Sequence, residues 1–281
     1  MVSMNRLSAR ERARIVSCLV EGNSIRATCR MTGAAKNTVT KLLVDLGRAC
    51  AEYQDATIRD LTCKRFQCDE IWAFVYAKQK NVPDEMRDEF VGDVWTFTGI
   101  CADCKLVASY LVGERNEVDA AAFIKDLSDR LANRVQLTTD GHHMYLTAVE
   151  EVFGGEIDYA QLIKHYGADP ENERRYSPAE YAGSEKRVIT GKPDPVDIAT
   201  SYVERQNLTM RMGMRRFTRL TNAFSKKAEN LAHAVSLHFM YYNFGRVHQT
   251  IKTTPAVEAG IADHIWSLEE IAGLLDGARK L

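Results

Sequence analysis

FQCDEIWAFVY, Phe66 to Tyr76, is rich in aromatic and branched residues and reads as a β-strand with an acid, Asp69, inside it. An acid among buried strand neighbours is costly unless it is paired or holds a metal. Its neighbour Glu70 is the rival. Strand alternation sends adjacent side chains to opposite faces, so only one of the two is expected to join a common site.

Outward from this strand, the polar stretch from Lys78 to Arg87, with Pro83, reads as a loop. Asp93 to Ile100 (DVWTFTGI) and Leu106 to Val112 read as a second and third strand. Val118 to Ala132 is an amphipathic helix, with Ala121, Phe123, Ile124, Leu127 and Leu131 near helical spacing. Val135 to Asp140 (VQLTTD) is a short strand ending in an acid, His143 to Val152 a helix, and Glu156 to Tyr159 the start of another strand. The order β-β-β-α-β-α-β predicts an α/β chain with a ribonuclease-H-like mixed sheet flanked by helices. The first strand is then central and the strand after the first helix lies beside it. Both bring residues to one edge of the sheet, where sites form in open α/β sheets.

Residues 166–200 hold four of the six prolines and many polar residues, and read as a long loop or insertion. Tyr202 to Gly213 reads as a helix, Lys226 to Phe244 as a long helix, and Ser267 to Leu275 as the last one. Upstream, Ser8 with Glu11 forms a capping box for a first helix. Ser24 caps a short second helix, and Met31-Thr32-Gly33 makes a turn. A third helix opens at Lys36 and is expected to end at Gly47. Helix, short helix, turn, helix is the helix-turn-helix pattern, whose last helix enters the major groove with its N-terminal residues on base edges. Those residues are Lys36, Asn37, Thr38 and Lys41. The ordinary alternative is a three-helix packing unit without a DNA role. The expected organisation is an all-α helix-turn-helix domain at 1–50, a linker at 51–63, the catalytic domain at 64–250 with its insertion at 166–200, and a helical tail at 251–281.

Three acids stand out: Asp69 in the first strand, Asp140 before Gly141 at the end of the fourth, and Glu204 at the start of the helix after the insertion. Singly they read as an edge residue, a helix cap and a helix-dipole acid. Jointly they converge on one sheet edge. Clustered carboxylates need cations, and hard oxygen ligands favour magnesium or manganese. Two such ions, about 4 Å apart, suit phosphodiester transfer. His142 and His143 are adjacent and cannot readily share one metal; one of them can touch phosphate instead. Asn207, Arg211 and Arg215 follow Glu204 along one helix face and are candidates for holding DNA phosphates.

Net charge is −1, so bulk electrostatics says nothing about nucleic acid. Its distribution says more: residues 1–50 are basic, and Arg205 to Lys227 carries Arg205, Arg211, Arg215, Arg216, Arg219, Lys226 and Lys227 with no acid between them. No apolar run is long enough to cross a bilayer, and the N-terminus lacks the apolar stretch of a secretory signal, so a cytosolic protein is expected. Seven cysteines, an odd number, argue against a disulfide framework. Cys101 and Cys104 form a CxxC pair for which zinc would need partners. Cys63 and Cys68 could supply two, but their spacing does not match, and GICADCKLVASYLVG reads better as two strands around an Ala-Asp-Cys-Lys turn.

At CDEIWAFV around Asp69, TTDGHHMY around Asp140 and SYVERQNLTMRMGMRR around Glu204, the chain resembles the DDE transposases, most closely those of the bacterial insertion-sequence-one family. YYNFGRVHQTIKTTPA resembles a segment common downstream in transposases and retroviral-type integrases. The resemblance covers nearly the whole chain. It implies Asp69, Asp140 and Glu204 as metal ligands and Arg211 as a DNA contact. The paired cysteines of that family's N-terminal zinc element are absent, so end recognition is expected to rest on residues 7–47. The function implied is transposition: binding of inverted terminal repeats in double-stranded DNA, cleavage at the element ends, and attack of the freed 3′-hydroxyl on target DNA, by a homodimer or higher homo-oligomer. The alternatives are a non-catalytic DNA-binding regulator derived from a transposase and a metal-dependent nuclease.

Overall fold

The computed structural model describes residues 7–86, 89–167, 181–218 and 222–277. Arg6 and Arg219 of the two basic blocks, Arg87 of the loop, and residues 168–180 of the insertion lie outside the described residues.

A six-stranded mixed sheet has the order β3-β2-β1-β4-β5-β6. Its strands are β1 Arg65–Val75, β2 Gly92–Cys101, β3 Val107–Gly113, β4 Gln136–Asp140, β5 Asp158–Tyr166 and β6 Tyr181–Thr190. β1 pairs antiparallel with β2 and parallel with β4; β2 with β3 is antiparallel, β4 with β5 parallel, and β5 with β6 antiparallel. Helices flank the sheet, consistent with the ribonuclease-H-like arrangement. β1 is central, as the apolar run around Asp69 demands, and β4 lies beside it. Helices α4 (Glu117–Ser128) and α5 (Met144–Phe153) cover one face, where Phe97 of β2 meets Phe123 and Tyr145. Each such ring, fully buried, contributes about 2–3 kcal/mol.

Strand β6 corrects the expectation that 166–200 is a loop throughout. Its six residues from Ser184 to Ile189 are all exposed, so no buried apolar alternation marks it in the sequence, and it is held by its backbone ladder to β5. 

Upstream, α1 (Ala9–Val20) begins at the expected Ser8–Glu11 capping box, and α2 (Ile25–Thr32) ends at Gly33 with φ 77°. Helix α3 then runs from Lys36 to Thr57, straight through Gly47. Gly47 is not a stop. A Cβ there would lie 2.4 Å from the carbonyl oxygen of His233 in α7 (Ala228–Met240), so this glycine lets two helices cross closely. Val16, Leu43, Leu46 and Cys50 share one continuous core with the sheet, while Ile15, Val39 and Leu42 form a small core of their own with Ile25 and Cys29.

After α6 (Ser201–Gly213), the expected long helix is α7 followed by a π-helical turn, Tyr241–Gly245. That turn sets Asn243 at the start of β3, where its amide donates to the Val107 carbonyl and accepts from the Val107 N–H. A short α8 (Pro255–Glu258) and α9 (Leu268–Gly277) complete the described chain. Among the described residues no helix is long and apolar enough to cross a membrane.

Candidate active site

Cys68 of β1 pairs with Thr139 of β4, so one step further along the two parallel strands Asp69 stands beside Asp140. β4 ends there, opening a cleft lined by Asp69, Asp140, His142, Lys164, Thr200 and Glu204. The start of α6 is fixed to the same strand: the side-chain oxygen of Gln67 accepts from the backbone N–H groups of Tyr202 and Val203 at 2.8 and 3.2 Å. Those are orphan donors of a helix whose own N-cap residue, Thr200, offers no side-chain cap. Glu204 therefore reaches the cleft from a helix anchored two residues before Asp69.

The three acids are not equally placed. Oxygens of Asp69, Glu70 and Asp140 lie within 4.8 Å of one another. Glu204 lines the cleft but is engaged by the Lys164 ammonium of β5 and the Thr200 hydroxyl. The expectation that Glu70 stands apart is half corrected. Its carboxylate comes within 4.8 Å of the other two. It is nonetheless held on the α5 side, accepting from Arg115 Nε at 2.5 Å and from the Tyr145 hydroxyl at 2.9 Å, with no side-chain exposure. Asp69 instead faces α6, accepting from Asn207 Nδ2 at 2.9 Å and from the Glu70 N–H at 2.9 Å. Asp69 and Asp140 are thus the pair that opens to the cleft.

Burial, then repulsion from Glu70 and Asp140, pushes the Asp69 carboxyl up to about 7. Burial and Asp140 raise Glu70 too, against the pull of Arg115 and Tyr145. Arg115 is the nearby countercharge, 3.9 Å from Asp140 and stacked over the Trp95 ring at 4.6 Å. Neither Arg115 nor Lys164 was singled out by the sequence, since only the fold brings them to acids 45 and 40 residues away. The donor set fits hard divalent cations: clustered carboxylate oxygens, one of them destabilised by burial while it lacks a cation.

Other expected residues fall differently. A Cβ on Gly141 would lie 2.9 Å from Ile163 Cγ1, so the glycine after Asp140 accommodates β5. Asn207 was expected to face DNA phosphates but is buried and bonded to Asp69. Arg211 is exposed on α6, whereas α6 ends at Gly213 and Arg215 sits on the 3-10 turn Arg215–Phe217, off that helix face. The His142 ring lies 4.7 Å from that of His143, and the backbone N–H of His142 donates to the Asp140 carboxylate at 3.1 Å. Burial and Arg115 keep His142 toward its neutral form. At the first turn of α3, Lys36 and Asn37 are exposed and Thr38 is half-buried; Lys41 pairs with Asp45 at 2.7 Å. A second cleft, at the other end of β1 and β4, is lined by the ion pairs of Arg65 with Asp103 and of Arg134 with Asp158 and holds none of the candidate residues.

No protein-family model matches the chain, and no curated protein matches it. Among solved structures it is similar to the Mos1 transposase paired-end complex with left transposon end, at 11% identity and a TM-score of 0.20, over 57% of this chain and 60% of that one. It is also similar to the Mos1 strand transfer complex, at 11% identity and a TM-score of 0.25, over 85% of this chain and 80% of that one. The chain thus spans about three fifths of the first of these chains, and superpositions this loose place no residue of it on a residue of either complex.

Proposed function

We propose that the chain is a DNA transposase of the DDE type, resembling the insertion-sequence-one family, that cleaves element ends and joins the 3′-hydroxyl to target DNA. The observation that carries this reading is the placement of Asp69 and Asp140 side by side at the ends of adjacent parallel strands, with Glu204 of α6 lining the same cleft. Asp69, Asp140 and Glu204 would hold two ions of magnesium or manganese. Bound there, the ions supply activation of the attacking oxygen and stabilisation of the leaving one.

The remaining roles belong to the chain's own side chains. Asn207 fixes the orientation of Asp69, and Thr200 that of Glu204. Arg115 and Tyr145 hold Glu70 back from the cleft. Residues 1–50 are proposed as a helix-turn-helix domain that reads double-stranded terminal repeats with Lys36, Asn37, Thr38 and Lys41, with α3 carrying on into the linker at 51–63. The catalytic domain is then 64–250 and the tail 251–281. Arg211 and Arg215 are proposed as phosphate contacts beside the cleft. Joining two ends requires two copies, so a homodimer or larger assembly is proposed.

One observation favours a second reading, a non-catalytic DNA-binding regulator: Lys164 already neutralises Glu204. Cleavage and strand transfer on DNA carrying the element ends, with magnesium or manganese, separate these readings when wild type is compared with Asp140→Asn. Metal-dependent joining that disappears in the variant, with binding retained, supports the transposase. Cleavage without joining points to a nuclease, and binding without chemistry in wild type leaves the regulator.

A further inference from the structure

Away from the acidic cleft, the fold gathers sulfur. Cys63 precedes β1, Cys101 ends β2, and Cys104 lies in the β2–β3 turn. One sulfur from each lies within 4.8 Å of the others, and all three are free thiols. Cys101 and Cys104 are buried and Cys63 is partly exposed. Cys68, the other cysteine near this strand's start, is not in the group; its sulfur packs under Gly99 instead.

We propose that Cys63, Cys101 and Cys104 form a zinc site, with the fourth position open to solvent beside Cys63. Zinc–sulfur bonds of about 2.3 Å at a tetrahedral angle place sulfurs about 3.8 Å apart. The Cys63 and Cys104 sulfurs are 3.7 Å apart, the edge such an ion requires. The backbone around the site is already set. The Ala102 N–H donates to the Arg65 carbonyl at 2.8 Å, the Lys105 N–H to the Cys101 carbonyl at 3.0 Å, and Asn133 to the Cys63 carbonyl at 3.0 Å. Lys105 takes the left-handed φ of 65° that turns the chain after the CxxC pair. Soft thiolates select zinc over the magnesium or manganese suited to the carboxylates. Binding exchanges the thiol protons for the metal and releases them to solvent. The ion would staple the entry of β1, the strand that carries Asp69, to the β2–β3 turn.

The test is made on the full chain, without DNA. Cobalt(II) is added to reduced, metal-free wild type, to Cys104→Ser and to Cys29→Ser, and zinc content after gel filtration is measured on separate samples of the same proteins reconstituted with zinc. The expected result is retained zinc and a thiolate-to-cobalt charge-transfer band in wild type and Cys29→Ser, both lost in Cys104→Ser. An ion on the carboxylates gives no such band. Alkylation of wild type provides a check that needs no variant: zinc should slow modification of Cys63 and leave Cys29 unchanged. The absence of the band in wild type, or zinc that fails to protect Cys63, overturns the proposal. So does a Cys63–Cys104 disulfide that forms as fast with zinc as without it; that outcome would mark the cluster as a redox pair.

Discussion

The ammonium of Lys164, on β5, lies against the carboxylate of Glu204, on α6, and so occupies the charge that the third acid of the cleft would otherwise present. Both side chains are partly exposed, at 28% and 42%, so solvent screening reduces the attraction to about 1 kcal/mol. If Glu204 takes part in metal binding, a cation must displace Lys164. Lys164→Ala is therefore expected to tighten half-saturation by manganese by roughly fivefold, the equivalent of 1 kcal/mol. Calorimetric titration reads this directly. An unchanged affinity would mean that Glu204 is no part of the metal site.

Asp69 gives the cleft a pH dependence. Its folded-state carboxyl is raised to about 7 by burial and then by Glu70 and Asp140, whereas an unfolded chain releases that proton near 4. Between those values the folded state binds more protons, so metal-free stability falls as pH rises through the window. The loss is on the order of a few kcal/mol and complete above the folded value. Asp69→Asn should remove this slope, so that the variant melts above wild type at pH 8 without metal and not at pH 5. Saturating magnesium should close the gap at pH 8, because metal binding favours the ionised carboxylate. Parallel melting curves for the two proteins across this range would show that Asp69 is not strained by its surroundings.

Asp69 and Asp140 were legible in the sequence because each breaks a local pattern: an acid in an apolar strand, and an Asp-Gly step after one. The central place of β1 followed from the same apolar run. What the sequence could not carry was anything set by pairing across long separations. Lys164 and Arg115 look like ordinary solvated cations until the sheet sets them against acids. β6 has no alternating apolar face to announce it, and Cys63 has no spacing that links it to Cys101 and Cys104. Asn207 sits at a helical interval from Glu204, but that interval alone does not say whether the residue faces DNA or the interior. Gly47 shows the same limit, since a glycine that stops a helix and one that admits a neighbouring helix are identical in sequence.

Gly47 allows a direct check of that distinction. In an open helix, Gly→Ala stabilises by about 1 kcal/mol. Here the added methyl would sit 2.4 Å from the His233 carbonyl oxygen and 2.6 Å from its Cβ, both atoms that cannot swing aside. The crossing of α3 and α7 must open to admit it, and overpacking of this kind costs about 1–3 kcal/mol. Gly47→Ala should therefore lower stability in urea unfolding. A gain in stability would mean that the helices separate without cost.

Arg115 and Glu70 form the remaining coupled pair, and their removal should not be additive. Glu70 has no side-chain exposure and leans on Arg115 and Tyr145, while Arg115 is one-third exposed. Arg115→Ala leaves a buried carboxylate next to Asp140 with only the Tyr145 hydroxyl to satisfy it. Fully buried pairs lose about 3–5 kcal/mol when one partner goes; the exposure of Arg115 brings the expectation to about 2 kcal/mol. Glu70→Gln keeps an acceptor for Tyr145 and removes the charge, so in the Arg115→Ala background it should restore part of the loss. Urea unfolding of the two single variants and the double variant gives the coupling energy, with about 1 kcal/mol or more expected. Additive losses would mean that Arg115 acts through its stacking on Trp95 and not through the Glu70 charge.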